Sequence, residues 1–456
     1  MNDIFDAMHA ASRAQIDVPL SVRRDRLNRL EALLVENEAA FVEAISEDYG
    51  MRVPAETRLA ELMPLRLALR HTRRHLRRWM RPKRRAIEWV FWPATGSVVA
   101  QPLGVVGIMS PWNYPLLLSI GPLIDAVGAG NRVMIKPSEL TPKTSALMAK
   151  AMAEKFADDE VHVVLGEVKA AKAFSKLPFD HLIFTGSAEV GKLIAAAAAP
   201  NLTPLTLELG GKSPAIVLED ASLTRTARSI VTGRLLNSGQ TCVAVDYVYA
   251  PRSKLRELIA AIEAQLKVYY PDLGRGYSSI LADKYYDRHH KMLASVSDKT
   301  EVFQHGEDDL EARKLAPRLV IDPPKDSLLL KEEIFGPILP IVPYDHLEDV
   351  LAAVNAGPRP LALYCYGTSR RGVRRVVRET LSGTMAVNAS VLQLGQNNLP
   401  FGGVGASGYG AYHGKDGFTR FSHTKGVFRP YIASSLELFG APWTRLSEWA
   451  FRFVWR

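Results

Sequence analysis

The chain has 456 residues, a net charge of +9 and two cysteines. Its 47% hydrophobic and 23% charged residues are ordinary globular proportions, with material for two or three domains. Two cysteines exclude a disulfide framework and a four-cysteine zinc site, and they fit a reducing compartment.

The opening MNDIFDAMHA has early acids and no continuous apolar stretch, so it does not read as a signal peptide. No uninterrupted apolar run is long enough to span a bilayer. A soluble, cytoplasmic protein is expected. RLNRLEALLVENEAAFVEAISEDYG places apolar residues at three-and-four spacing and ends at Gly50, which predicts helices across residues 20 to 80. Between Glu61 and Glu88 there is no acid but ten bases, from Arg66 to Arg85, at helical spacing around Leu69, Leu76 and Met80. They account for the positive excess of the whole chain. A solvated helix face over a core is one reading; attraction to an anionic membrane or to nucleic acid is the other. No zinc-finger or RNA-recognition signature is present, so nucleic acid is not an expected partner.

Pro82 stops the basic helix. AIEWVFWPATGSVVAQPLGVVGIMS is rich in β-branched and aromatic residues and reads as strands. From there short apolar runs (VVGIMS, RVMIKPS, VHVVLG, HLIFTGS, SPAIVLE) alternate with helical stretches such as KTSALMAKAMAEKF and AEVGKLIAAAAA. A second set, DYVYA, RELIAAIEAQL, LEDVLAAVNAG and LALYCYG, follows. This is the pattern of an α/β fold with parallel sheets and helices on both faces.

Several local patterns carry chemistry. Cys242, in NSGQTCVAVD, is either a small buried hydrophobe or a nucleophile. In HLIFTGSAEVGK a strand meets a turn at Gly186, and Ser187 opens a helix that could face a phosphate. Gly191 follows at a spacing of five, which is not the dinucleotide fingerprint. Lys136 and Glu139, in IKPSE, end an apolar strand, where α/β sheets bind ligands. Lys136 could hold ribose hydroxyls; Glu139 could accept from a 2′-hydroxyl and would repel a 2′-phosphate. Glu208 lies among leucines in LELGGKSPAIV, where desolvation would raise its pKa and suit it to a general base. Asn113, between Trp112 and Tyr114, could donate to an oxyanion or simply form a turn. Glu333 and Phe335, in KEEIFGP, offer a carboxylate for sugar hydroxyls and a flat face for a ring. Each pattern alone also fits an ordinary structural role.

Taken in order, SPWNYP, KPSE, FTGSAEVGK, LELGGKSP, GQTC, EEIFGP and LPFGGVGASG resemble the aldehyde dehydrogenase superfamily. The tail GYGAYHGKDGFTRFSHTKGV is similar to the class 3 branch, and most to bacterial coniferyl aldehyde dehydrogenases. The resemblance implies a Rossmann-type dinucleotide-binding domain over 1–84 and 101–207 and an α/β catalytic domain over 208–395. It also implies bridging oligomerisation segments over 85–100 and 396–433, with 434–456 as an amphipathic tail. It implies Cys242 as nucleophile, Glu208 as base, and Asn113 with the Cys242 amide as oxyanion site. Lys136 and Glu139 would hold the adenosine ribose, Gly186, Ser187 and Gly191, with Trp112 nearby, the pyrophosphate region, and Glu333 and Phe335 the nicotinamide riboside. NAD is the implied cofactor, with NADP also accepted in that branch, and no metal. A homodimer and a small aldehyde substrate are implied as partners. Hydrolysis of a Cys242 thioester is favoured over transfer to coenzyme A because Glu208 is present. An inactive, membrane-associated homologue is the remaining alternative. Cys365 matches no pattern and reads as core.

Two positions depart from the class 3 pattern. Val245 stands where that branch has proline, and Gln393 stands where it has a histidine near the substrate funnel. At the C-terminus Trp443, Leu446, Ala450 and Phe453 recur at helical spacing, and Arg445, Glu448, Arg452 and Arg456 fall on another face. Such a helix could lie on a membrane interface, cap the substrate tunnel or pack on a partner subunit.

Overall fold

A computed structural model describes residues 1–431, 437 and 440–454. Part of the expected C-terminal tail, including Arg456, lies outside the described residues. The N-terminal third is helical, for the reason its periodicity suggests. The helix Leu20–Glu36 buries Leu27, Leu30, Leu33 and Leu34 along one stripe. The basic helix Met63–Met80 buries Leu65, Leu69, Leu76 and Trp79 and turns most of its guanidinium groups outward. Of these, Arg73 pairs with Glu31 at 2.5 Å. The helix stops before Pro82, whose ring disfavours helical backbone at Arg81. The expected strand over residues 86 to 94 does not form. Trp89–Phe91 is a short 3₁₀ turn, and pairing resumes at Thr95, beyond Pro93, which has no N–H for a ladder.

Among the described residues the strands form three sheets. The first joins β1 (Lys83–Arg85), β2 (Thr95–Pro102) and β16 (Ser422–Arg429), all antiparallel. The second is built on β3 (Val105–Met109), β4 (Arg132–Lys136), β5 (Val161–Val163), β6 (His181–Gly186) and β7 (Leu205–Leu209), all parallel. A short antiparallel strand, β15 (Gly408–Tyr409), closes its edge beside β7. The order is β15-β7-β6-β3-β4-β5. The chain starts this sheet at β3, builds one side with β4 and β5, and returns to build the other with β6 and β7. The reversal between β3 and β6 opens a crevice beyond the carboxyl ends of those strands.

The third sheet has the order β10-β11-β12-β9-β8-β13-β14. Its strands are β8 (Pro214–Val217), β9 (Tyr247–Pro251), β10 (Glu301–Gln304), β11 (Arg318–Ile321), β12 (Ile338–Tyr344), β13 (Ala362–Tyr366) and β14 (Thr384–Val387). All but the edge strand β10 run parallel. The apolar runs of β8, β11 and β13 are buried on both faces, as parallel strands covered by helices require. The chain passes from the end of β7 to the start of β8 across Gly210 and Gly211. The carboxyl edge of the second sheet is thereby joined directly to the amino edge of the third.

Candidate active site

A cavity of about 500 Å³ lies at this junction. Trp112 and Asn113, after β3, and Gly186 and Ser187, at the end of β6, border it from the crevice of the second sheet. Glu208, at the end of β7, borders it too. From the third sheet come Cys242, which precedes β9, and Glu333 and Phe335, which precede β12. Eight of the residues singled out in the sequence therefore meet in one cavity. Lys136, Glu139 and Gly191 do not border it. Lys136 ends β4, beside Met109 of β3, and its Nζ donates to the Pro137 carbonyl at 2.6 Å. Glu139 is exposed in the following turn. Gly191 is buried in the helix Ala188–Ala198, where a side chain would meet Leu209 at 2.8 Å; its smallness lets that helix lie on β7.

The loop carrying Cys242 is sharply bent. Asn237, Ser238 and Gly239 all have positive φ, of 54°, 52° and 78°. Gly239 approaches so closely that a Cβ would collide with the Gly336 carbonyl. This seats the cysteine loop against the loop of Glu333 and Phe335. Gln240 locks the bend: its Nε2 donates to the carbonyls of Asn237 at 3.1 Å and Ser279 at 3.0 Å, and its Oε1 accepts from the Leu281 N–H at 2.9 Å. The Asn113 Nδ2 donates to the Gln240 carbonyl at 3.2 Å, two residues before Cys242. The Asn113 carbonyl accepts from the Tyr49 hydroxyl at 2.9 Å and from the Asn237 Nδ2 at 3.0 Å. Asn113 sits in the bend after β3, and both its carbonyl, through Asn237, and its side chain, through Gln240, tie that bend to the cysteine loop.

Opposite stands a set of carboxyl groups without their usual partners. Glu208 is buried, and neither carboxyl oxygen has a hydrogen-bond partner among the described residues. Burial holds it well above the usual carboxylate range, and the distant Arg420 offsets this only in part. Glu333 accepts from the Gly211 N–H, and its Oε1 is buried without a partner. Burial, and then the charge of Asp246, push it up to about 8. A Cβ at Gly210 would occupy the space of the Glu333 carboxyl, so the bare backbone there makes its cradle. The Cys242 thiol is pushed up to about 12 by burial, and then by the charges of Glu333 and Glu208. Amides of Cys242 and Val243 pointing at the sulfur work the other way.

No local pattern marked the residues that hold these groups. Asp246 takes Lys212 Nζ at 2.6 Å and Arg234 Nη1 at 3.1 Å, and accepts the Ile334 N–H at 3.1 Å, which steadies the turn of Glu333. Arg288 donates to the Glu333 carbonyl at 2.6 Å. The two departures from the class 3 pattern also find places. The Val245 N–H donates to Gly233 at 3.3 Å, a bond proline could not make. Gln393 does not border the cavity; its Nε2 donates to the Tyr364 hydroxyl at 3.2 Å. Cys365 is wholly buried in β13.

A cysteine, a carboxyl group without a partner and an amide donor thus border one cavity at the crevice of a doubly wound sheet. The chain belongs to the aldehyde dehydrogenase family, whose profile matches residues 1–427. It is 46% identical over 431 residues to a probable coniferyl aldehyde dehydrogenase of Pseudomonas aeruginosa, covering 93% of this chain and 90% of that one. It is 41% identical over 435 residues to the coniferyl aldehyde dehydrogenase of Pseudomonas sp. strain HR199, covering 94% and 90%. Both matches, and one of 38% over 409 residues to the family 3 member H1 of Arabidopsis thaliana, covering 89% and 84%, agree with a class 3-like branch. The substrate-bound AldH of Staphylococcus aureus superposes with a TM-score of 0.94 at 34% identity, over 99% of both chains. A Mycobacterium tuberculosis aldehyde dehydrogenase complexed with NAD+ superposes with a TM-score of 0.84 at 27% identity, over 95% of this chain and 91% of that one. The α/β architecture expected from the sequence is therefore that of the aldehyde dehydrogenase fold. Among the described residues no helix is long and apolar enough to cross a membrane.

Proposed function

We propose that the protein oxidises an aldehyde, aromatic or medium to long aliphatic, to its carboxylic acid through a covalent bond to Cys242, using NAD and accepting NADP. The observation that carries this is the pairing, across one cavity, of the Cys242 thiol with the partnerless carboxyl of Glu208. The residues fit a dinucleotide. Glu333 Oε1 is a buried oxygen without a partner, Phe335 offers a ring face, and Ser187 caps a helix that begins at the cavity. Glu333 and Phe335 would hold the nicotinamide riboside, and Gly186, Ser187 and Trp112 would border the pyrophosphate. Lys136 and Glu139, at the end of the neighbouring strand, would reach the adenosine ribose from outside the cavity, and Gly191 would let the phosphate-facing helix pack close. When bound, the dinucleotide supplies the acceptor for the electron pair of the aldehyde C–H bond.

The chain's own residues do the rest. The Cys242 sulfur attacks the carbonyl carbon once its proton has passed through water to solvent, which leaves Glu208 ionised for the later step. The oxygen that gains charge is met by the Asn113 Nδ2 and the Cys242 N–H; one such donor contributes roughly 2.7–4 kcal/mol to lowering a barrier. Glu208 then takes a proton from water, which attacks the acyl carbon and frees the acid. Splitting one step into two through sulfur is the gain from covalent catalysis. A base in this position favours hydrolysis over transfer to coenzyme A, and an intact set of groups argues against an inactive homologue. A steady-state screen of aromatic aldehydes and aliphatic chain lengths with both dinucleotides tests the proposal; no reduced cofactor with any of them would overturn it.

We further propose a cytoplasmic homodimer in which the three-stranded sheet bridges subunits. Support comes from the open edge of β14 and from β16, which is exposed along most of its length. The second and third sheets would then be the dinucleotide-binding and catalytic domains. The helix Arg445–Val454 exposes Leu446, Trp449 and Phe453 beside Arg445 and Arg452, and Phe453 meets the exposed Trp89 edge-on at 5.9 Å. This supports peripheral contact with an anionic bilayer. Removing residues 434–456 would abolish sedimentation with anionic liposomes; unchanged sedimentation would count against it.

A further inference from the structure

Cys242 sits inside a tight turn. The Ala244 N–H donates to the Thr241 carbonyl at 2.9 Å, which makes Cys242 and Val243 the two central residues. Hydrogen bonds hold this turn from both sides. On the side of Asn113, the hydroxyls of Thr241 and Tyr114 share a hydrogen bond of 2.7 Å. On the other side, the Tyr364 hydroxyl of β13 donates to the Val243 carbonyl. The amides of Cys242 and Val243, in the same turn, point at the sulfur. Whatever holds the Val243 carbonyl therefore also helps to hold those amides in place.

Gln393 stands behind Tyr364. In the 3₁₀ turn Leu392–Gly395, Leu392, Leu394 and Gly395 border the cavity, as does Val391 before it. Gln393 turns inward instead and is 8% exposed. Its Nε2 donates to the Tyr364 hydroxyl at 3.2 Å. A phenol has one hydrogen to give, and here it goes to Val243, so the phenol oxygen accepts from the amide. That fixes which way the amide faces, and it leaves Oε1 buried with no hydrogen-bond partner among the described residues. Burial raises the Tyr364 phenol, which keeps its hydrogen at neutral pH. Val391, a β-branched residue, has a φ of 54°, in a region that disfavours such side chains. A stranded buried oxygen beside a strained residue is a feature that persists where the surroundings use it.

We infer that Gln393 is a positioning residue for the chemistry at Cys242, acting through the Tyr364 hydroxyl to hold the nucleophile's turn. The relay runs from the Gln393 amide to the phenol oxygen and from the phenol O–H to the Val243 carbonyl, with no proton transferred. It presupposes Cys242 as the proposed nucleophile and adds a residue, outside the cavity, on which the aim of the sulfur and its amides depends. Gln393 stands where the class 3 pattern has histidine, whose ring nitrogen can also donate.

Three variants test this role. Gln393→Leu removes the donor at similar size, Gln393→His restores one, and Tyr364→Phe removes only the hydroxyl and keeps the ring in the core. The readouts are steady-state oxidation of benzaldehyde with NAD and the rate of Cys242 alkylation by iodoacetamide, followed by peptide mass spectrometry. Gln393→Leu and Tyr364→Phe should each lower kcat and the alkylation rate roughly tenfold. KM for aldehyde and for NAD should stay within about twofold, since neither side chain borders the cavity. Gln393→His should recover most of both rates. The double variant Gln393→Leu/Tyr364→Phe should be no worse than Tyr364→Phe, because one relay is cut twice. Wild-type rates in folded Gln393→Leu, losses that multiply in the double variant, or a Gln393→His protein as impaired as Gln393→Leu would overturn the role. If Gln393→Leu does not fold, Tyr364→Phe decides: wild-type rates overturn the relay, and a loss of both rates with KM unchanged supports it. If wild-type protein oxidises no aldehyde, the proposed function fails, and alkylation, which needs no substrate, still decides the relay.

Discussion

Arg52 donates to Glu61 at 2.5 Å, and both side chains are wholly buried. The second oxygen of Glu61 accepts the N–H groups of Leu116 at 2.8 Å and Leu117 at 3.0 Å, at the start of the helix that follows Asn113. Arg52 also lies over the rings of Tyr49 and Tyr114, at 5.3 and 4.9 Å from their centroids. The pair is thus the foundation under the Asn113 loop. Arg52→Met strands a buried carboxylate and should cost about 3–5 kcal/mol of stability. Urea denaturation reads this directly. The double variant Arg52→Met/Glu61→Gln should lose less than the sum of the two single changes; additive losses would mean that the charges do not act as a pair.

Glu208→Gln keeps the size of the side chain and removes the base. Turnover should fall by about 10²–10⁴. In a rapid-mixing experiment the first equivalent of reduced dinucleotide should still form, because release of the acyl group is the step that waits. A Glu208→Gln protein with wild-type turnover would assign the base elsewhere.

Glu208 and Glu333 also set a pH dependence. Burial holds both above their usual range, Glu333 at about 8. In the unfolded chain they ionise near the ordinary value of 4.5. Between these limits the folded protein binds more protons than the unfolded chain, so stability falls as pH rises. The Tm of the dinucleotide-free protein should therefore drop from pH about 5 to about 8. Glu333→Gln should flatten the slope. Activity should move the opposite way, rising with pH as Glu208 loses its proton, and that rise should vanish in Glu208→Gln.

Gly239 has a φ of 78° and faces the Gly336 carbonyl. Gly239→Ala should lose about 1–2 kcal/mol from the left-handed backbone alone, and more from the collision. The cysteine loop and the Glu333 loop should separate, so turnover should fall far more than stability does. Wild-type turnover in a folded Gly239→Ala protein would mean the contact is incidental.

Much of this was legible in the amino-acid order. Helix and strand periods are local properties, so the helices before Pro82 and the alternating α/β pattern could be read directly. Cys242, Glu208, Asn113, Glu333 and Phe335 stood out because each sits beside a turn or a strand end. What could not be read was their common meeting point. It depends on the carboxyl edge of one sheet facing the amino edge of another, which no local window contains. The Arg52–Glu61 pair was hidden for the same reason: two charges in a helical stretch look solvated until the fold covers them. Lys136 ends the neighbouring strand β4 and Glu139 lies in the turn after it, so their position outside the cavity follows from strand order. The aromatic run around Trp89 misled because strand composition was present without the freedom to pair.

The proposed chemistry turns on a covalent bond between Cys242 and the substrate carbon. Intact-protein mass spectrometry of Glu208→Gln, quenched after mixing with benzaldehyde and NAD, tests it most directly. One added benzoyl group per chain, mapped by peptide analysis to Cys242, is expected, with no adduct or reduced dinucleotide in the double variant Cys242→Ala/Glu208→Gln. Undiminished reduced dinucleotide from Cys242→Ala, or an acyl group mapped to any other residue, would contradict it.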